Sequence, residues 1–129
     1  MYIYKNNQEV FTKVWKAVIS ETLTSQARDK ENKITYAHVP NGCFIGYCLP
    51  AKLADLLQKA CEAHDKYAIT SMLNLSDKPC KDVAQIFSNC NQEFLIDLQC
   101  IHDLYNPIDW KDKLSDLAKR YRLSLEEQA

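Results

Sequence analysis

Three cysteines and one histidine in the middle of the chain are residue types that bind zinc. They follow the spacing C-x4-C-x12-C-x2-H and are Cys43, Cys48, Cys61 and His64. Zinc takes four nitrogen or sulfur ligands in a tetrahedron, and a helix would bring Cys61 and His64 to neighbouring positions. However, the first pair encloses the apolar segment FIGY, and no pair has the usual C-x2-C spacing. We therefore interpret the four residues as core residues and predict no metal or other cofactor.

Thiol catalysis is a second possible chemistry, because the six cysteines and three histidines allow several Cys–His pairs. No C-x-x-C motif occurs, and Cys100 and His102 would share a face on a strand but not on a helix. A reactive thiol needs exposure and a lowered pKa, whereas cysteine commonly behaves as a small buried apolar residue. We interpret the cysteines as structural and keep a small thiol- or zinc-dependent enzyme as an alternative.

Acidic residues are segregated in the segment 82–110, which contains no lysine or arginine. A surface of one charge sign steers a partner of the opposite sign. An aromatic residue surrounded by charge is also a common composition at binding hot spots. We therefore predict a contact surface for a basic protein partner, formed by Asp97, Asp103, Asp109 and Trp110. The competing interpretation is a solvated acidic surface that binds nothing.

Nucleic acid and membranes are less favoured partners. Tyr36, Phe44 and Tyr47 could stack on bases, but basic residues do not cluster beside them. The net charge of −1 creates no general attraction to anionic polymers or lipids. No apolar run approaches the roughly 20 residues that cross a bilayer. A nucleic-acid-associated protein remains a second alternative. The first residues lack the pattern of a signal peptide, so we predict a cytoplasmic protein with reduced cysteines.

Residues 33–49 have the pattern of a β-hairpin, which would position the first two cysteines. Two runs rich in strand-forming residues flank residues 40–42, PNG, a sequence typical of tight turns. Pro50 ends the second run and suits the first position of a helix. The apolar face of that helix is predicted to pack on the hairpin and consists of Leu53, Leu56, Leu57, Ala60, Cys61 and His64.

Apolar residues at helical spacing predict three further helices. The first begins at Asn6, which together with Glu9 resembles a capping box, and continues to about Leu23. The others begin near Ser76 and near Asn106.

The segment 91–105 fits two patterns. As a helix it places Phe94, Leu98 and Ile101 on one face, and as a strand it alternates Phe94, Ile96 and Leu98 with polar residues. Its length and its initial asparagine favour a helix, but the strand interpretation stays open.

The amino-acid composition indicates a folded and mostly helical domain. Hydrophobic residues make up 47% of the chain and charged residues 26%, which is typical of a folded domain. Two glycines and four prolines favour helices over a turn-rich β-structure. We predict a single globular domain, 1–129, with an α+β fold in which four to five helices pack on a small antiparallel sheet centred on the 33–49 hairpin. Cofactor and catalytic motifs are missing, which favours a non-enzymatic protein-binding module such as an adaptor, inhibitor or subunit.

The assignment of reduced cysteines leads to a direct test. All six thiols should react with a thiol reagent when the protein is unfolded in denaturant without reductant. The reacted thiols can be counted by absorbance or by mass. A count of two or four would mean that disulfides form and that the predicted compartment is wrong.

Overall fold

The computed structural model describes residues 1–23 and 43–125. Within these ranges the chain forms α-helices and one short 3-10 turn, Pro107–Asp109. The helices are α1 (Asn7–Ile19), α2 (Phe44–Tyr47), α3 (Ala51–His64), α4 (Ile69–Met72), α5 (Lys78–Ile86), α6 (Gln92–Leu104) and α7 (Trp110–Tyr121).

The predicted α+β fold is wrong, because the residues that the structure describes contain helices and no strand. Phe44–Tyr47, expected as the second strand of the hairpin, is the one-turn helix α2. Its first three residues are buried, so the segment has no polar side from which a period could be read. A short run that is apolar on all sides fits a buried strand and a buried helix equally well. The first strand and the turn, 33–42, lie outside the described residues.

Asparagine side chains begin two of the predicted helices. Asn6 Oδ1 accepts a hydrogen bond from the Glu9 N–H at 3.0 Å, as expected at the start of α1. The Glu9 carboxylate accepts from the Lys5 N–H instead of the Asn6 N–H, so the capping box is shifted by one residue. Asn91 Oδ1 accepts from the Phe94 N–H at 3.1 Å and starts α6. The helical interpretation of 91–105 is therefore confirmed.

Helix packing encloses one hydrophobic core. In the described part of the chain, α3 packs on α5, α6 packs on α7, and α7 also contacts α1. Short α2 lies between α3 and α6. No helix in these ranges combines the length and the apolar composition needed to cross a membrane.

The buried face of α3 differs slightly from the predicted stripe. Leu57 at its centre is fully buried, whereas Leu56 and His64 at its edges are exposed. In the described part of the chain, this face packs on α5 and on the short helix α2. Its buried residues are Ala54, Leu57, Ala60 and Cys61.

Burial on α3 predicts unequal effects of two neighbouring substitutions. Leu57→Ala should lower the free energy of unfolding by about 2–5 kcal/mol, because it leaves a cavity in the core. Lys59→Ala, on the exposed side of the same helix, should change it by less than about 0.5 kcal/mol. Urea unfolding followed by circular dichroism measures both, and equal losses would contradict the packing of α3.

Candidate functional site

The connection between α6 and α7 forms a sharp corner. Tyr105 ends α6 with an extended backbone, φ −117° and ψ 149°, and Asn106 is also extended, as is typical before proline. Pro107 then begins the 3-10 turn that leads into α7. The Trp110 indole N–H donates to the Tyr105 carbonyl at 3.1 Å, so the start of α7 is tied to the end of α6. This bond fixes the geometry of the corner.

Trp110 lies beneath the corner and not on its surface. Its side chain is fully buried. The indole meets the Phe44 ring edge-on, with centroids 4.9 Å apart, and stacks on the His102 ring at 5.5 Å. Aromatic contacts of this kind contribute about 0.5–1.5 kcal/mol each beyond the burial of area. The predicted contact residue Trp110 therefore supports the corner from inside the core.

Three large apolar side chains project from the corner. Leu104, Tyr105 and Ile108 are 74%, 39% and 88% exposed, and they fall within five consecutive residues. We call these three residues the corner patch. Isolated exposed apolar residues are ordinary, but a contiguous group on a soluble surface commonly marks an interaction site.

A cleft of about 330 Å³ adjoins the corner patch. Ile108 and Pro107 form one wall, and Val18 and Leu23 at the end of α1 form the apolar part of the other. An apolar side chain of a second molecule could enter this cleft while it contacts Ile108. The corner patch thus combines a protruding residue with a concave neighbour.

The three predicted aspartates have different surroundings. Asp97 Oδ2 accepts a hydrogen bond from the Tyr121 O–H at 2.5 Å and lies 3.8 Å from Arg120, so it links α6 to α7. Burial and this bond raise the pKa of Tyr121 to about 12. Asp103 Oδ1 accepts from the Gln99 amide and lies 2.9 Å from His102 Nδ1. Asp109 is exposed, and within the described ranges its carboxylate has no hydrogen bond or ion pair. Of the three aspartates, Asp109 is thus the one whose charge is unengaged by the residues that the structure describes.

Gln99 is a residue that the sequence reasoning missed. It is 5% exposed, its Oε1 accepts from the Ile45 N–H at 3.1 Å, and its Nε2 donates to Asp103 at 2.9 Å. One side chain thus connects the buried helix α2 to the acidic end of α6. A glutamine inside a helical pattern gives no signal of such a partner, which lies 54 residues away in the chain.

The four residues considered as zinc ligands, Cys43, Cys48, Cys61 and His64, are not assembled as a metal site. Cys43 and Cys48 lie at the two ends of α2, and Cys61 is on the buried face of α3. His64 is exposed, and its Nε2 lies 2.9 Å from Asp77 Oδ1. Across residues 1–23 and 43–125, no group of three or more His, Cys, Asp or Glu side chains is arranged to hold a metal ion.

The cysteines also lack the properties of a nucleophile. Burial raises the pKa of all six thiols, to about 12 for Cys48 and Cys61 and to about 11 for Cys90. A thiol with a raised pKa stays protonated near pH 7, and the thiolate is the reactive form. None of the six forms a disulfide. Their surroundings therefore favour packing over catalysis.

Comparison of the chain with protein-family models, with curated proteins and with solved structures gives no match. The side chains described above are therefore the basis for assigning a function. Among them, the corner patch and Asp109 offer apolar area and a free charge to a second molecule.

The position of Gln99 predicts a loss of stability on a nearly isosteric substitution. Gln99→Met keeps the packing volume but leaves the buried Ile45 N–H without an acceptor, so it should lower the free energy of unfolding by about 1–3 kcal/mol. Gln92→Met, at an exposed position of the same helix, is the matched control and should have an effect below about 0.5 kcal/mol. Denaturant unfolding compares the two, and an unchanged Gln99→Met protein would refute the bridge between α2 and α6.

Proposed function

We propose that the protein is a small cytoplasmic protein-binding module, an adaptor, inhibitor or subunit, that contacts its partner through the corner patch and Asp109. The observation that carries this proposal is the exposure of Ile108 and Leu104, 88% and 74%, four residues apart in the corner that Trp110 supports from the core. Complete burial of one such side chain contributes about 1.5–3 kcal/mol. The six cysteines without disulfides support a reducing compartment.

The corner is suited to binding because its conformation is already fixed. The Trp110 N–H donates to the Tyr105 carbonyl, and Trp110 packs against both Phe44 and His102, whose rings also contact each other. A surface that does not have to order itself on binding loses less conformational entropy. The exposed apolar side chains therefore stand on a rigid support, and the proposal leaves Trp110 out of the contact.

The charged residues at the corner indicate which groups the partner should present. Asp109 is exposed and unengaged within the described residues, and the Asp103 side chain is 32% exposed. Lys113 lies over the Tyr105 ring, with its Nζ 4.6 Å from the ring centroid, so one side of the patch is cationic. We expect the partner to present apolar side chains for Leu104 and Ile108 and a lysine or arginine for Asp109. Asp97 is assigned to holding α6 and α7 together, since Tyr121 and Arg120 engage it.

Binding should depend on the apolar part of the corner patch. The double variant Leu104→Gln, Ile108→Gln should weaken binding of a purified partner by more than about tenfold, because two apolar side chains no longer bury area. The partner is first captured from the native cell with the wild-type protein, and the affinities of purified components are then measured by calorimetry.

The matched control for this measurement is Leu56→Gln, which changes an exposed leucine on α3 outside the corner patch. It should bind the partner as the wild type does. Asp109→Asn should lower the association rate at low salt and reduce its dependence on ionic strength. A partner that binds the double variant and the control with equal affinity would rule out the corner patch as the contact.

A further inference from the structure

A second concave surface lies away from the corner patch. It is a cleft of about 730 Å³ between the N-terminal residues, the exposed side of α1 and the connection from α2 to α3. Its volume is in the range of small-molecule sites, roughly 300–1,000 Å³. The apolar part of its wall includes Leu49, Pro50, Ala51 and Ile86.

The N-terminal residues that border the cleft are firmly held. The Tyr4 N–H donates to the Ile86 carbonyl at 3.0 Å, and the Tyr4 O–H donates to the Cys48 carbonyl at 2.6 Å. The Tyr4 ring stacks on Phe87 with centroids 5.6 Å apart. These contacts join the start of the chain to α5 and to the end of α2, so the cleft exists before any ligand binds.

The neutral hydroxyl groups and the carboxylate that line the cleft already have hydrogen-bond partners within the protein. The Tyr2 O–H donates to the Glu9 carboxylate at 2.7 Å, and Glu9 also accepts from the Lys5 N–H. The Tyr4 O–H is used by Cys48. The remaining charged groups are the ammonium groups of Lys13 and Lys16, which are three residues apart on α1 and therefore on one face.

Neither ammonium group is neutralised within the described residues. Lys13 Nζ lies 5.5 Å from the centre of the Tyr47 ring, which is a cation–π contact and not an ion pair. Lys16 has no carboxylate within ion-pair distance in the described ranges. The cleft contains one carboxylate, Glu9, against the two ammonium groups of Lys13 and Lys16, so it has an excess of one positive charge.

We propose that this cleft binds a small organic anion with an aromatic body. The body lies against Leu49, Pro50 and Ile86, and the half-exposed Tyr2 ring provides an aromatic neighbour. The anionic group pairs with Lys13 and Lys16. This site shares no residue with the corner patch, so it is independent of the proposed protein contact.

The test uses two fluorescent probes that share one aromatic body. They are 1-anilinonaphthalene-8-sulfonate, an anion, and N-phenyl-1-naphthylamine, which lacks the sulfonate. The double variant Lys13→Gln, Lys16→Gln removes both positive charges. It should lower the affinity for the anionic probe about fivefold to tenfold, because two solvent-exposed charge pairs contribute about that much, and should leave the affinity for the neutral probe unchanged. The charge-preserving variant Lys13→Arg, Lys16→Arg should restore wild-type affinity for the anion.

Three further variants locate the bound probe. Ala51→Trp places a large ring at an exposed position of the cleft wall and should lower the affinity for both probes. Lys59→Gln, Lys66→Gln removes two exposed charges elsewhere and should change neither affinity, and the same holds for Leu104→Gln, Ile108→Gln. The proposal is overturned if the anionic probe does not bind, if the lysine variant binds it like the wild type, or if the corner variant loses it.

Discussion

A buried one-turn helix sets the main constraint on this structure. The N–H groups at the start of a helix have no partner within it, and burial makes an unpaired N–H costly. In α2 the Cys43 Sγ accepts from the Gly46 N–H at 3.2 Å, and the Gln99 Oε1 accepts from the Ile45 N–H. The first acceptor is local, whereas the second must be supplied by α6. The position of α6 is therefore linked to the hydrogen bonding of α2, and α7 follows because Phe44 of α2 packs on Trp110.

The longer helices, which have one solvent-exposed side, could be predicted from the sequence, whereas α2, which has none, could not. In α1, α5, α6 and α7 the apolar residues repeat at helical spacing because one side meets solvent and the other meets the core. Two of these helices also start at asparagines whose capping role could be read directly. The segment FIGY lacks a polar side, since it is enclosed by α3 and α6, and its sequence therefore fits a buried strand as well as a buried helix.

The exposure of residues in the acidic segment could be predicted only in part. The sequence directed attention to the segment 82–110, but it could not separate the inside of the corner from the outside. Trp110 and Ile108 are two residues apart, yet one is fully buried and the other is 88% exposed. Successive residues of a helical turn point about 100° apart. A shift of one or two residues in where the turn begins therefore decides which residue is buried and which is exposed. Sequence separation likewise concealed that Tyr121 and Arg120 engage Asp97.

Folding protects the cysteines of this protein from oxidation. Four of the six thiols are buried and the other two are partly covered, so the native protein offers an oxidant few thiolates. Unfolding exposes all six in one flexible chain, where their pKa values return toward those of free cysteine and thiolates become more abundant. Thiolates of that kind oxidise and exchange among many wrong pairings. In air, unfolding therefore becomes irreversible, because an unfolded molecule that forms a non-native disulfide cannot refold to the native structure. The lifetime of the native protein is then set by its unfolding rate.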